Sequence, residues 1–239
     1  MTAKLSSLLK DLEILSIIGE TDKNILSLES DSRKVEKDGL FVAVKGVTND
    51  GHKYIPVVAS AHVGAIVCEE IPSTLAKGVT YIQVPDSAEA LGRLASAWYG
   101  YPSRHLKLVG VTGTNGKTTT ATLLYEMARL EGYKAGLLST VCNYIGDRAV
   151  PSTHTTPDPL SLNSLLADMV NEGCEYAFME VSSHSTAQKR VAGLHFAGGI
   201  FTNLTRDHLD YHGTVENSMN AKKAFLDMIP PTAFALTNA

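Results

Sequence analysis

The 239-residue chain has no Cys-x-x-Cys pair, no long basic run, no repeat or low-complexity tract, and no unbroken apolar stretch of membrane-spanning length. Each absence removes a class. Three scattered cysteines, Cys68, Cys142 and Cys174, argue against a disulfide frame or a zinc site and for a reducing compartment, so the cytoplasm is the expected location. A formal charge of −4 without a basic run speaks against a nucleic-acid partner. The first apolar run, 5-LSSLLKDLEILSIIG-19, is broken by Lys10, Asp11 and Glu13. It is neither a signal peptide nor a membrane span, and a short amphipathic helix is expected there. What remains, 44% hydrophobic and 19% charged residues, is the composition of a globular protein with a real core.

The pattern predicts an α/β fold in two parts. Strand-like runs at 40-LFVAVKG-46, 63-VGAIVC-68 and 79-VTYIQV-84 precede a helix over 86-DSAEALGRLASAWYG-100, with Asp86 as N-cap and Ala90, Leu91, Leu94, Ala95 and Trp98 at helical spacing. The Pro- and Ser-bearing stretch 100-GYPSRH-105 is punctuation, and it divides a domain 1–102 from a domain 103–239. Beyond it, strands and helices alternate: strand 106–113, helix 117–131, strand 134–140, helix 159–172, apolar runs 176–181 and 195–204, helix 215–229, strand 233–239. Near-continuous apolar strands alternating with helices imply a mostly parallel sheet covered on both faces, whose ligands sit beyond the carboxyl ends of the strands. The chain stops directly after its last predicted strand, as a piece cut inside a longer polypeptide is expected to.

The segment 110-GVTGTNGKTTTATLL-124 misses the generic G-x-x-x-x-G-K-[ST] pattern, because Val111 holds the first glycine position. The physics still suits a phosphate. Gly113 and Gly116 let the backbone bend so that N–H groups face an anion, and the N-terminus of the following helix adds its partial positive charge. Lys117 can reach the β- and γ-phosphates, and the hydroxyl of Thr118, followed by Thr119, can ligate Mg²⁺. The plainer alternative is a glycine turn starting an ordinary helix. Downstream, 179-MEVSSHSTAQKR-190 puts Glu180 at a strand end, either as a metal ligand or as a buried glutamate paired with an arginine. In 203-NLTRDHLDYHG-213, Asp207, His208, Asp210 and His212 form either a metal site or a polar loop. In the last helix, Lys222 has Phe225 and Ile229 at i+3 and i+7, which turns it inward, whereas Lys223 has Asp227 at i+4 on the solvent side. A lysine snorkelling at the helix edge remains the other reading of Lys222.

GTNGKTTT after a hydrophobic strand resembles the ATP loop of the Mur ligases and of the folylpolyglutamate synthetases, ATP-dependent amide-bond ligases of three domains. MEVSSH and NLTRDHLDYHG resemble further motifs of the Mur ligases. The resemblance implies that Gly113, Thr114, Asn115, Gly116, Lys117, Thr118 and Thr119 bind ATP. It also implies that Thr118, Glu180, His208 and Lys222 hold two Mg²⁺ ions, with Lys117, His208 and Lys222 as catalytic residues. In the family, a lysine some fourteen residues after the histidine, here Lys222, is carbamylated by CO₂ to N6-carboxylysine. Desolvation favours the neutral amine that such chemistry needs.

The residues ahead of the loop contain 31-DSRKVEKDGLFVAVKG-46, similar to the UDP-binding signature of two Mur ligase branches. One branch adds the third residue of the peptidoglycan stem peptide; the other adds the terminal dipeptide. The motif 154-HTTPDP-159, with Ser182, Ser183, His184, Gln188 and Arg190, resembles the third-residue branch. This implies two small-molecule substrates, UDP-MurNAc-dipeptide and a diamino acid, either meso-diaminopimelate or L-lysine, and neither a nucleic-acid nor a membrane partner. Ser32, Val47, Thr48 and Asn49 would receive the uridine end, and Thr155, Thr156, Ser182, Gln188 and Arg190 the muramyl-dipeptide and its pyrophosphate. Positions 47–49 depart from the His-containing loop usual in this branch, and His154 replaces a frequent Asn. The resemblance assigns residues 1–102 to UDP-MurNAc binding and 103–239 to part of the ATP domain, with the family's third domain absent and full turnover by this chain alone not expected. The competing readings are the dipeptide-adding ligase and a noncatalytic ATP-binding module.

Overall fold

The structure is a computed structural model that describes residues 1–46, 49–152, 154–204 and 215–238, and the backbone alone at 215–218. It divides into two compact units, Met1–Trp98 and Tyr99–Ala239. The division falls just ahead of the Gly100–His105 punctuation.

In the first unit, β1 (Ala3–Lys4) pairs antiparallel with β3 (Asn24–Ile25), and α1 (Leu5–Leu8) lies between them in sequence. A five-stranded sheet follows the order β2 (Ser16–Ile18), β7 (Thr80–Gln83), β6 (Ala65–Cys68), β5 (Leu40–Val42) and β4 (Leu28–Glu29). All its pairings are parallel except β2 with β7. The expected helix over 5–19 is therefore corrected. Helix α1 and a single 3-10 turn, Leu9–Asp11, are followed by a strand, because Ser16, Ile17 and Ile18 find ladder partners in Gln83, Ile82 and Tyr81. Tertiary pairing outweighs a weak local preference in so short a segment. Helix α2 (Ile55–Ser60) and β5–β7 share a core of Phe41, Ile55, Val58, Ile66 and Tyr81. Helix α3 (Ser87–Trp98) is started by Asp86, whose carboxylate accepts the Glu89 N–H at 2.8 Å, and it buries Ala90, Leu91, Leu94 and Ala95.

The second unit is built on β8 (Lys107–Thr112), α4 (Lys117–Leu130), β9 (Ala135–Leu138), β10 (Cys142–Ile145), β11 (Arg148–Pro151) and α5 (Pro159–Asn171). It continues with β12 (Tyr176–Glu180), α6 (Ser183–Ala187), β13 (Gly198–Phe201), α7 (Val215–Asp227) and β14 (Phe234–Thr237). The seven-stranded sheet runs β11-β10-β9-β12-β8-β13-β14, parallel from β9 to β14. An antiparallel β10–β11 hairpin sits at the β9 edge. Ile145 pairs directly with Arg148, so the turn is the two residues Gly146-Asp147, with Gly146 at φ 56°.

Alternation along β8 sorts the layers. Val109 and Val111 face α4 through Ala121 and Tyr125. Leu108 faces the other way, in the core formed with Leu162 and Leu166 of α5 and Phe225 of α7. Gly110 lies against the Phe225 ring, where a Cβ would collide with it, and Phe225 meets Phe196 edge-on with centroids 5.0 Å apart. Both faces of the sheet are thus covered, and its chemistry is left to the strand ends.

Candidate active site

Three neighbouring strands, β12, β8 and β13, end at Glu180, Thr112 and Phe201, so the segments that follow them emerge side by side. After β8 the chain turns through Gly113 at φ 141° and Gly116 at φ 84°, conformations that only glycine adopts without strain. Gly116 is the N-cap of α4 and offers no side-chain cap, which leaves the first N–H groups of the helix to other partners. The Lys117 ammonium folds back over the turn and donates to the carbonyls of Gly113 at 2.9 Å and Thr114 at 3.0 Å. Asn115 and Thr119 are exposed, and Thr114 is buried.

Glu180 joins this turn to the next segment. Its carboxylate is 1% exposed and accepts from the Thr118 hydroxyl at 2.9 Å, the Thr140 N–H at 2.7 Å and the Thr140 hydroxyl at 3.3 Å. Among the described residues no arginine or lysine forms an ion pair with it, and its hydrogen-bond donors are threonines. Such buried carboxylate oxygens, beside the hydroxyls of Thr118 and Thr140, are the donor chemistry of a hard divalent cation. These residues fit Mg²⁺. Among the described residues no three His, Cys, Asp or Glu side chains cluster as a metal site, and His208 lies outside the described residues.

The 154–158 segment closes on the same place. Thr156 is buried; its hydroxyl donates to the Glu180 carbonyl at 2.9 Å and accepts from the Ser182 N–H at 3.3 Å. Thr155 faces Thr140, hydroxyl to hydroxyl, at 3.1 Å. Ser182 caps α6 by accepting the Ser185 N–H at 3.1 Å, which leaves its own proton to donate. Arg190 donates to the Thr156 carbonyl at 2.8 Å and, through Nε and Nη2, to Gln188 Oε1 at 2.9 and 2.7 Å. Lys117, Thr118, Thr155, Thr156, Glu180, Ser182, Gln188 and Arg190 therefore line one cavity of about 380 Å³. Thr140, His154 and His184 line it as well. Thr140 escaped the sequence reading because a lone threonine after a strand carries no spacing signal.

Lys222 is buried at 3% exposure, whereas Lys223 is exposed and bonds Asp227 at 2.6 Å. Lys222 is carried by α7, which follows β13 and precedes the parallel β14, and it is not among the residues that line the Glu180 cavity. In the first unit, Ser32 and Asn49 line a separate cavity of about 470 Å³ with Asp31, Arg33, Val44 and Tyr54; Val47 and Thr48 lie outside the described residues. There Arg33 forks onto Asp31 at 2.9 and 2.7 Å. That side-chain bond, with the Arg33 N–H, holds the Asp31 carboxyl well below the usual range.

Comparison with known proteins follows the same division. Residues 111–239 match the family described as "Mur ligase middle domain", and residues 24–99 match "Mur ligase family, catalytic domain". The chain is 60% identical over 235 residues to a Bacteroides fragilis protein named UDP-N-acetylmuramoyl-L-alanyl-D-glutamate–2,6-diaminopimelate ligase, covering 98% of this chain and 48% of that one. A solved structure with the same ligase name superposes with a TM-score of 0.76 at 24% identity, covering 99% of this chain and 52% of the other. The MurF ligase of Thermotoga maritima, solved in complex with ADP, superposes with a TM-score of 0.56 at 25% identity, covering 88% of this chain and 45% of that one. The chain spans about half the length of the curated relatives it matches. No helix among the described residues is long and apolar enough to cross a membrane.

Proposed function

We propose a function with one premise: this chain belongs to the Mur ligase family. It supplies the nucleotide-sugar-binding unit and the ATP-binding unit of a ligase in peptidoglycan precursor synthesis, working in the cytoplasm, where its three free thiols stay reduced. The ligase joins meso-diaminopimelate to UDP-MurNAc-L-Ala-D-Glu and releases ADP and phosphate. Diaminopimelate is preferred over L-lysine because the Bacteroides fragilis relative is named for it. The observation that carries the reading is Glu180, whose buried carboxylate touches Thr118 of the glycine turn and Thr140, itself in contact with Thr155.

In the reaction, the γ-carboxylate of the D-glutamyl residue attacks the γ-phosphate of ATP, forming an acylphosphate and ADP. The diamino acid's amine then attacks the acyl carbon, loses a proton and expels phosphate. Lys117 swings from the loop carbonyls to the phosphates and offsets charge as it spreads over the transferred group. Arg190, held by Gln188, presents a guanidinium to phosphate or carboxylate oxygens, and the hydroxyls of Thr155 and Ser182 bind sugar or phosphate oxygens beside it. Magnesium would neutralise phosphate charge when bound; Thr118, Glu180, His208 and Lys222 would hold it. Lys222 is buried, and it is the neutral form of its amine that would add CO₂ to become an anionic carbamate. Ser32 and Asn49, with Val47 and Thr48, receive the uridine end.

The test is phosphate release by the full-length protein. It should require UDP-MurNAc-L-Ala-D-Glu, Mg²⁺ and a diamino acid together, and fall at least about 100-fold in Lys117→Ala and Glu180→Ala. Turnover that ignores the UDP-linked dipeptide, or that needs a UDP-linked tripeptide and a dipeptide instead, would end the proposal.

A further inference from the structure

Besides the Lys117 ammonium, the glycine turn has a second support from outside its own loop. Thr202 and Asn203, the two residues that leave β13, hold it from the side. The Asn203 carboxamide pairs with both backbone polar groups of one residue, accepting the Asn115 N–H on Oδ1 at 3.0 Å and donating from Nδ2 to the Asn115 carbonyl at 3.2 Å. The Asn203 carbonyl accepts the Thr114 N–H at 2.9 Å. The Thr202 hydroxyl lies 2.6 Å from the same Asn115 carbonyl, and the Thr202 N–H donates to Thr112 at 2.9 Å. A Cβ on Gly113 would strike the Thr202 hydroxyl, so the two segments meet at the closest approach glycine permits.

One peptide plane is singled out. The Asn115 carbonyl and the Gly116 N–H belong to the same trans peptide, and in a planar trans unit they point in opposite directions. Fixing the carbonyl on Thr202 and Asn203 therefore aims the Gly116 N–H away from β13. Gly116, at φ 84°, offers little resistance to the alternative in which this plane flips. In the flipped state a carbonyl oxygen, rather than an N–H, faces the ligand side of the turn. A phosphate would be repelled by it.

We propose that Asn203, assisted by the Thr202 hydroxyl, is the positioning residue that locks the Asn115–Gly116 peptide in the orientation that accepts nucleotide phosphates. The inference rests on the reading of Gly113–Thr118 as an ATP loop. It adds that the strand leading to the His208 segment sets the loop's affinity before any ligand arrives. Preorganisation of this kind acts on binding of the nucleotide and leaves binding at the UDP-sugar unit alone.

The experiment compares full-length wild type with Asn203→Ala, Thr202→Val and Thr202→Ser by calorimetric titration with ADP and, separately, with UDP-MurNAc-L-Ala-D-Glu. Loss of the side-chain bonds in Asn203→Ala should weaken ADP binding roughly tenfold or more. Thr202→Val should weaken it less, and Thr202→Ser, which keeps the donor, should restore it; affinity for the UDP-linked dipeptide should hold in all three. In turnover the KM for ATP should rise while the KM for the dipeptide does not. Unchanged ADP affinity in Asn203→Ala and Thr202→Val, or equal weakening of both ligands, overturns the positioning role. Wild type that binds no adenine nucleotide overturns the ATP-loop reading itself, and the positioning role with it.

Discussion

Replacing Glu180 by glutamine should make the metal-free protein more stable while removing its response to magnesium. The carboxylate is 1% exposed and has three donors, of which the Thr140 N–H at 2.7 Å is the shortest. Glutamine keeps Oε1 for that N–H. Its NH₂ then faces the hydroxyls of Thr118 and Thr140, which can rotate to accept. No hydrogen bond need be lost, and a buried negative charge disappears. Recovering part of its desolvation penalty is worth about 1–2 kcal/mol, or roughly 2–8 °C in the unfolding midpoint of a chain this size. Thermal unfolding followed by circular dichroism, with and without Mg²⁺ and ATP, tests both halves. Wild type should gain about 2.7 kcal/mol at a hundredfold excess over Kd, and Glu180→Gln almost none. A variant that melts below wild type without metal, or gains as much from Mg²⁺ and ATP, would show that the carboxylate is compensated by something else and is no metal ligand.

Gly110→Ala drives a methyl into the Phe225 and Phe196 rings and should destabilise the second unit by about 1–3 kcal/mol; urea unfolding that shows no loss would contradict the packing of α7 on β8. Cys68, buried, has its thiol pushed up to about 11 by desolvation, and Cys174 is raised by the same cause, so at pH 8 half-buried Cys142 should alkylate first and the other two only on unfolding, as read by mass spectrometry. The same shift sets a pH window. Between the free-thiol value of about 8.5 and about 11 the unfolded chain holds fewer protons on Cys68 than the folded one, so stability should fall as pH rises through that range. If Lys222 is the carbamylated residue, turnover of the full-length protein should drop in CO₂-depleted buffer, return with bicarbonate, and be lost in Lys222→Met; indifference to CO₂ would remove that role.

Much of the fold was legible because the strands of the second unit are apolar runs separated by periodic helical segments. Asp158 shows it: it caps α5 by accepting the N–H groups of Leu160 and Ser161, as an Asp-Pro pair ahead of a periodic segment promises. Where reading failed, local and non-local preferences competed. Residues 16–18 have the apolar content of a helix continuing from Leu5, and only the open edge of β7 makes them a strand. The hairpin at 142–151 carried a signal that went unused, a Gly-Asp pair between two short alternating runs, and its strands are too brief to stand out by periodicity.

By itself the sequence determined the identity and order of the chemical groups: a glycine turn with Lys117 and Thr118, then the TT pair, then Glu180, then Gln188 and Arg190. Their separations along the chain, and the inward face of Lys222, follow from local spacing. Only the tertiary structure decided which groups touch. Thr118 and Glu180, Thr140 and Thr155, Asn115 and Asn203 stand 62, 15 and 88 residues apart in sequence, and they meet because β9, β12, β8 and β13 pair in parallel and β11 runs the same way across the hairpin, so that their ends share one edge. Hydrogen bonds between side chains on different loops depend on sheet order and register, which no local pattern encodes. For that reason the roles of Thr140 and of Asn203, the first residue of a motif noted for its acids and histidines, become visible only when the strands are laid side by side.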